Sequence, residues 1–128
     1  MPKKILLIDD EPDTVSAMMA VLRKNGYEVI ASVSGTDGLE KADKHKPDLA
    51  IVDLMLPDID GWRVCQKLKM SHTCGHIPII VLSAWLQNVK EQVAPYEVGD
   101  AFIDKQSDLS VIVAKVKELL NEPPKEEK

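Results

Sequence analysis

A doubly wound parallel α/β sheet of five strands and five helices is the fold this sequence predicts, and three observations predict it. Short continuous apolar runs recur at Ile5–Ile8, Leu49–Val52, Ile77–Leu82 and Ala101–Ile103, with a further strand-like stretch at Tyr27–Val33. Runs of this kind, bounded by polar or turn residues, read as strands buried on both faces. Stretches with helical apolar spacing alternate with them, which implies right-handed crossovers and helices on both sides of one sheet. The runs also end in side chains that carry chemistry: Asp9 and Asp10 after the first, Asp53 after the third, Ser83 after the fourth, and Lys105 just beyond the fifth. With the strand order 2-1-3-4-5 these groups meet at the carboxyl edge, where ligands of such sheets bind.

Each element has its own local signals. The first helix is expected over Asp13–Lys24, with Val15, Met18, Met19 and Leu22 on its apolar face, Pro12 in its first turn and Gly26 as a left-handed stop. After the strand Tyr27–Val33, Ser34 can cap a second helix running through Lys46, with Leu39 and Ala42 on its inner side, and Pro47 ends it. Asp53 closes the third strand, and Leu54–Asp60 is a loop stiffened by Pro57 and closed near Gly61. A third helix is expected over Trp62–Met70, followed by a polar loop at Ser71–Gly75. After Ser83, Leu86, Val89 and Val93 give a weaker helical period that Pro95 interrupts. The last helix is the clearest: Ser107 or Asp108 caps it, and Leu109, Ile112, Val113, Val116, Leu119 and Leu120 form one apolar stripe. Asn121–Lys128 holds two prolines and otherwise polar or charged residues, so a domain over 1–121 followed by a charged tail or linker start at 122–128 is the expected organisation.

The bulk composition narrows the function. A chain of 128 residues, 45% hydrophobic, has the size and apolar content for one domain. Its net charge of -5 gives no electrostatic reason to bind nucleic acid directly. No apolar run has the length of a membrane span, and the short first run is followed by two acids rather than a signal-peptide core, so a cytoplasmic location is expected. Two cysteines, Cys65 and Cys74, in a domain of this size read as free thiols. Acids converging at the sheet edge repel one another unless a cation lies among them, and hard oxygen ligands of this kind suit Mg²⁺ (or Mn²⁺). Handling of a phosphoryl group is the chemistry this suggests.

The motifs Ile-Asp-Asp-Glu-Pro at 8–12, Val-Asp-Leu-Met-Leu-Pro-Asp-Ile-Asp-Gly at 52–61, Val-Leu-Ser-Ala at 81–84 and Phe-Ile-Asp-Lys at 102–105 together resemble the receiver domain of two-component response regulators, from Lys4 to Leu120. The resemblance implies a flavodoxin-like sheet with Asp53 as phosphoacceptor. It implies a Mg²⁺ site made by Asp9, Asp10, Asp53 and the backbone carbonyl of Met55. It also implies that Lys105 pairs with a phosphoryl oxygen, that Ser83 is the switch hydroxyl, and that Phe102 is the aromatic group that moves inward on activation. A sensor histidine kinase or a histidine phosphotransfer protein would be the donor, and a downstream effector or output domain the recipient. Phosphorylation-dependent dimerisation is compatible with the pattern. Such a domain catalyses its own phosphorylation and dephosphorylation without being a turnover enzyme. Two departures stand out: Gln106 follows Lys105 where the family usually has a proline after a cis peptide, and Gly99 lies one residue closer to the lysine than expected. Met55 and Trp85, two residues beyond Asp53 and Ser83, are expected at the rim of the site.

Other readings fit these residues less well. An aspartyl-nucleophile phosphatase commonly carries a second acid two residues after the nucleophile, where this chain has Met55. A flavin-nucleotide carrier would carry a hydroxyl-rich phosphate loop after the first strand, where this chain has Asp9-Asp10-Glu11-Pro12. A degenerate receiver that only docks partners would share the fold. His72, Cys74 and His76 alternate in a loop but offer no fourth ligand, so a transition-metal site there is disfavoured. Trp62 and Trp85 on an acidic chain point to packing or partner contact rather than to base stacking.

Overall fold

The computed structural model describes residues 2–56, 58–72, 75–83 and 99–120. Five parallel strands form one sheet: β1 (Lys4–Ile8), β2 (Glu28–Ser32), β3 (Leu49–Asp53), β4 (Ile79–Ser83) and β5 (Ala101–Asp104), in the order β2-β1-β3-β4-β5. Four helices lie among the described residues: α1 (Pro12–Lys24), α2 (Gly35–His45), α3 (Gly61–Met70) and α4 (Leu109–Leu119). The helix expected after Ser83, with Leu86, Val89, Val93 and Pro95, falls outside the described residues, as do Pro57, Cys74, Trp85 and the tail at 121–128.

The pleat of the strands divides the core into two layers. Ile5, Leu7, Leu49, Ile51, Ile80, Leu82, Ala101 and Ile103 face α1 and α4, where they meet Met18, Leu22, Ile112, Val113 and Val116. Leu6, Ile8, Ala50, Val52, Ile79 and Val81 face α2 and α3, where they meet Ala42, Val64, Cys65 and Leu68. Both faces of β1, β3 and β4 are therefore covered, which is why these strands read as unbroken apolar runs. The Cys65 thiol is free and buried, and that burial pushes its pKa up to about 12, so it packs as a small hydrophobe. Met18 is core as expected, whereas its neighbour Met19 is only partly covered.

Several boundaries differ from the expectation, each for a local reason. The strand expected over Tyr27–Val33 spans only Glu28–Ser32. The Tyr27 amide closes the end of α1 by donating to the Leu22 carbonyl at 3.1 Å, and Val33 lies past the last rung, 61% exposed. Gly26 takes φ 94, the left-handed stop that follows α1. The second helix stops at His45, because Lys46 adopts φ 51, a left-handed C-cap. The third begins at Gly61, capped by Asp60, whose carboxylate accepts from the Trp62 amide at 3.0 Å. The last helix is capped by Asp108 rather than Ser107. No cis peptide occurs among the described residues, so Lys105 and Gln106 are joined in trans.

Candidate functional site

The carboxyl ends of β1, β3, β4 and β5 position the site. One rung past β1, the Asp9 amide donates to the Ser32 carbonyl at 3.0 Å, which places the Asp9 side chain inside the edge, fully buried. Asp10 follows, exposed. Glu11 is the N-cap residue of α1, and its amide donates to Asp9 Oδ1 at 2.9 Å. Asp53 ends β3 and is buried. The ladder runs one residue further, since the Leu54 amide donates to the Leu82 carbonyl at 3.1 Å. The Met55 amide turns back and donates to Asp53 Oδ1 at 3.1 Å.

Gly61 packs directly against this turn. A Cβ there would lie 2.5 Å from the Asp53 carbonyl oxygen and from Leu54 Cα, so no larger residue fits without moving the end of β3. Ser83 ends β4, also buried, and its carbonyl accepts from the Lys105 amide at 2.8 Å, which sets Lys105 at the same edge.

Side chains then converge. Lys105 Nζ lies 2.8 Å from Asp53 Oδ2 and 3.3 Å from each Asp9 oxygen, and it also pairs with Glu11 Oε1. Asp9, Asp10 and Asp53 can each offer one carboxylate oxygen within 4.8 Å of the other two. An open cleft of about 280 Å³ lies over them, lined by Asp10, Glu11, Asp53, Met55 and Lys105.

The electrostatics are those of crowded acids around one cation. Burial raises the Asp9 pKa, and the neighbouring Asp53 charge adds to the rise, against the lowering by the Glu11 amide and Lys105. Burial alone would lower Lys105, but its bonds to Asp53 and Glu11 outweigh that and raise it, so it stays protonated. The Lys105 contact holds Glu11 below its usual value. Asp9 Oδ2 is buried and receives no hydrogen bond among the described residues, although Lys105 is close. A buried carboxylate oxygen without a donor is destabilising unless something else fills its coordination. Carboxylate oxygens from Asp9, Asp10 and Asp53, hard and anionic, fit a small divalent cation.

Asp9, Asp10, Asp53 and Lys105, read from separate runs of the sequence, are thus brought together. Ser83 is buried at the end of the neighbouring strand, and Met55 stands at the cleft, 75% exposed. Phe102 is half-buried on the α3 side of the sheet, its ring tilted at 56° to Trp62 with centroids 6.3 Å apart, so Trp62 is a packing residue. Gly99 closes against the same ring: a Cβ there would lie 3.1 Å from Phe102 Cε1. Among the described residues the metal-capable cluster is Asp9, Asp10 and Asp53, and His72 and His76 are exposed outside it. Glu11 is the site residue that sequence reasoning passed over. Its one signal was position, between an acid pair and a helix-starting proline.

Residues 5–117 match the response regulator receiver domain family. The DNA-binding dual master transcriptional regulator RpaA of Synechocystis sp. is 36% identical over 121 residues, covering 94% of this chain and 49% of that protein. The chain spans about half the length of the curated relatives it matches. Among solved structures, a CheY-like response regulator receiver domain protein from Methanospirillum hungatei superposes with a TM-score of 0.86 at 25% identity, over 94% of this chain and 95% of that one. The receiver domain of the sensor histidine kinase PA1611 from Pseudomonas aeruginosa, with a magnesium ion coordinated in its active site cleft, shares the fold with a TM-score of 0.85 at 23% identity, over 94% of this chain and 99% of that one. No helix among the described residues is long and apolar enough to cross a membrane. A sheet in the order 2-1-3-4-5, an acid cluster with its lysine at the carboxyl edge, and a family match over most of its length carry one conclusion: the chain belongs to the response regulator receiver domain family.

Proposed function

We propose that Asp53 is the phosphoacceptor of this receiver and that its modification switches partner binding. The observation that carries the reading is the Lys105 ammonium, 2.8 Å from Asp53 Oδ2, at an edge where Asp9 and Asp10 offer oxygens within 4.8 Å of Asp53. The donor is a phosphohistidine of a sensor histidine kinase or histidine phosphotransfer protein. An Asp53 oxygen forms the new bond to phosphorus, the P–N bond breaks with its electron pair passing to the ring nitrogen, and the imidazole, which carries a proton on its other ring nitrogen, leaves as the neutral base. A carboxylate is a weak nucleophile, so the rate rests on alignment and on neutralising charge at the phosphoryl oxygens.

Asp9, Asp10, Asp53 and the Met55 carbonyl would hold Mg²⁺ (or Mn²⁺), which when bound supplies Lewis-acid neutralisation of that charge. Lys105 supplies the second positive centre. After transfer the edge carries a doubly charged group with strong acceptor oxygens, toward which the Ser83 hydroxyl donates. Phe102, half-buried against Trp62, is the aromatic group whose repacking reports the state to a downstream effector or output domain. Residues 1–121 form this unit, with 122–128 as tail or linker, and it acts in the cytoplasm.

The test is incubation of the purified chain with acetyl phosphate and Mg²⁺, read by intact mass. The parent gains the mass of one phosphoryl group and Asp53→Ala gains none. Equal gain in both, or no gain in the parent, overturns the reading; the second result is the one a docking-only receiver gives.

A further inference from the structure

Helix α1 begins without the side-chain cap that its position favours. Ncap residues are commonly Ser, Thr, Asp or Asn, whose oxygens accept from the first free amides of the helix. Here the Ncap is Glu11, and its carboxylate makes no capping bond. It reaches across the mouth of the cleft to Lys105 Nζ instead, and Thr14 Oγ1 donates to the same Oε1 at 3.3 Å. The Lys105 side chain is 12% exposed and that of Glu11 60%, so the contact lies at the boundary between the buried acids and solvent.

An ammonium has three hydrogens to donate. Lys105 directs them among Asp53, Asp9 and Glu11. On the phosphoacceptor reading, on which this inference rests, the first two partners change role during the reaction. Asp53 becomes an acyl phosphate, and Asp9 becomes a cation ligand. Glu11 is neither, so of these three described partners it is the one that stays available to Lys105 throughout.

We propose that Glu11 is a positioning residue for Lys105: by accepting one ammonium hydrogen at the rim of the cleft, it keeps Nζ directed at the place where the phosphoryl oxygens arrive. It touches no reacting atom, and its effect passes through the lysine. Without it, Lys105 has more rotameric freedom once Asp9 and Asp53 are engaged, and that freedom is lost again when the phosphoryl group binds.

The experiment compares beryllofluoride binding, at saturating Mg²⁺, for the parent, Glu11→Ser and Glu11→Gln. Serine is a favoured Ncap, so Glu11→Ser gives α1 a side-chain cap that the parent lacks while being too short to reach Lys105. Glutamine keeps an acceptor oxygen at the same reach. Glu11→Ser is expected to bind beryllofluoride roughly two- to fivefold more weakly, the range for one partly exposed charged contact, with a thermal midpoint no lower than the parent's. Glu11→Gln is expected to bind nearly as tightly as the parent. Parent-like or tighter binding by Glu11→Ser overturns the proposal, and so does Glu11→Gln binding as weakly as Glu11→Ser, since charge rather than placement would then be responsible. A parent that binds no beryllofluoride overturns the phosphoacceptor reading itself.

Discussion

Asp48 and Asp100 stand at the amino edge of the sheet, Asp9 and Asp53 at its carboxyl edge, and the two pairs of carboxylates meet different company. Asp48 Oδ2 accepts from the amide of Lys4, the first residue of β1, at 2.8 Å. Asp100 Oδ2 accepts from the amide of Ile79, the first residue of β4, at 2.8 Å, and Lys69 from α3 lies 3.0 Å away. Each of these acids satisfies an amide that its strand cannot pair, at a partly exposed position. At the other edge, Asp9 and Asp53 are buried beside each other, share one lysine, and leave Asp9 Oδ2 without a donor among the described residues. Closing the first amide of a strand at a partly exposed position is a structural role; Asp9 and Asp53 also accept amides, from Glu11 and Met55, yet stay crowded together. Acids that face one another in the interior lower stability, and their arrangement is accounted for by the ligand they can hold.

Asp100→Ala gives the largest expected effect on stability. It leaves the Ile79 amide without its partner and releases Lys69, and a loss of about 1–2 kcal/mol should appear in the urea midpoint. Phosphorylation by acetyl phosphate should be unchanged. A matching loss of phosphorylation would break the division between the edges.

The opposite sign is expected for Asp9→Asn, a gain of about 1 kcal/mol at neutral pH without metal, together with loss of Mg²⁺-dependent phosphorylation. The pH dependence follows from the raised folded pKa. Such a carboxyl contributes stability that is full below its ordinary value of 3.8 and is lost as pH rises through the raised one. The advantage of Asp9→Asn over the parent should therefore grow from pH 3.8 toward neutrality, and a constant difference across that range would count against the burial argument.

Asp58 sharpens the contrast, since it belongs to the carboxyl edge yet behaves like the amino-edge acids. Its two oxygens accept from the amides of Gly35 and Thr36, at 2.8 and 3.0 Å, across the start of α2. Bonds from the Thr36 side chain and these amides lower its pKa from 3.8 to about 2. A depressed carboxyl stabilises above the unfolded value and loses that contribution as pH falls through the folded one. Between pH 3.8 and about 2 the parent should lose stability more steeply than Asp58→Asn, a small effect visible in acid titrations of the thermal midpoint. The company an acid keeps, rather than the edge it stands on, decides its sign.

The alternation of apolar runs and helical stripes made the sheet and its order legible, because strands covered on both faces tolerate little but Val, Ile, Leu and Ala. Positions just past those runs placed Asp9, Asp10, Asp53, Ser83 and Lys105 at one edge, since parallel strands all end on the same side. Element ends were less legible. Tyr27 and Val33 look strand-like, but whether an amide completes a helix or a ladder depends on what lies opposite. Capping by Asp60 was missed because the acid serves a helix whose first residue is a glycine.

Glu11 shows the limit most directly. By type and place it reads as a surface acid before a helix, and only its distance to Lys105, far along the chain, gives it a role. By itself, then, the sequence determined the fold class, the strand order and the residues that arrive at the carboxyl edge, because burial and chain direction impose them locally. Tertiary structure alone decided how those residues are partnered: which oxygen of Asp9 lacks a donor among the described residues, which acids share Lys105, and which aromatic ring Phe102 meets. Hydrogen bonds and ion pairs depend on distances between segments that no local pattern encodes.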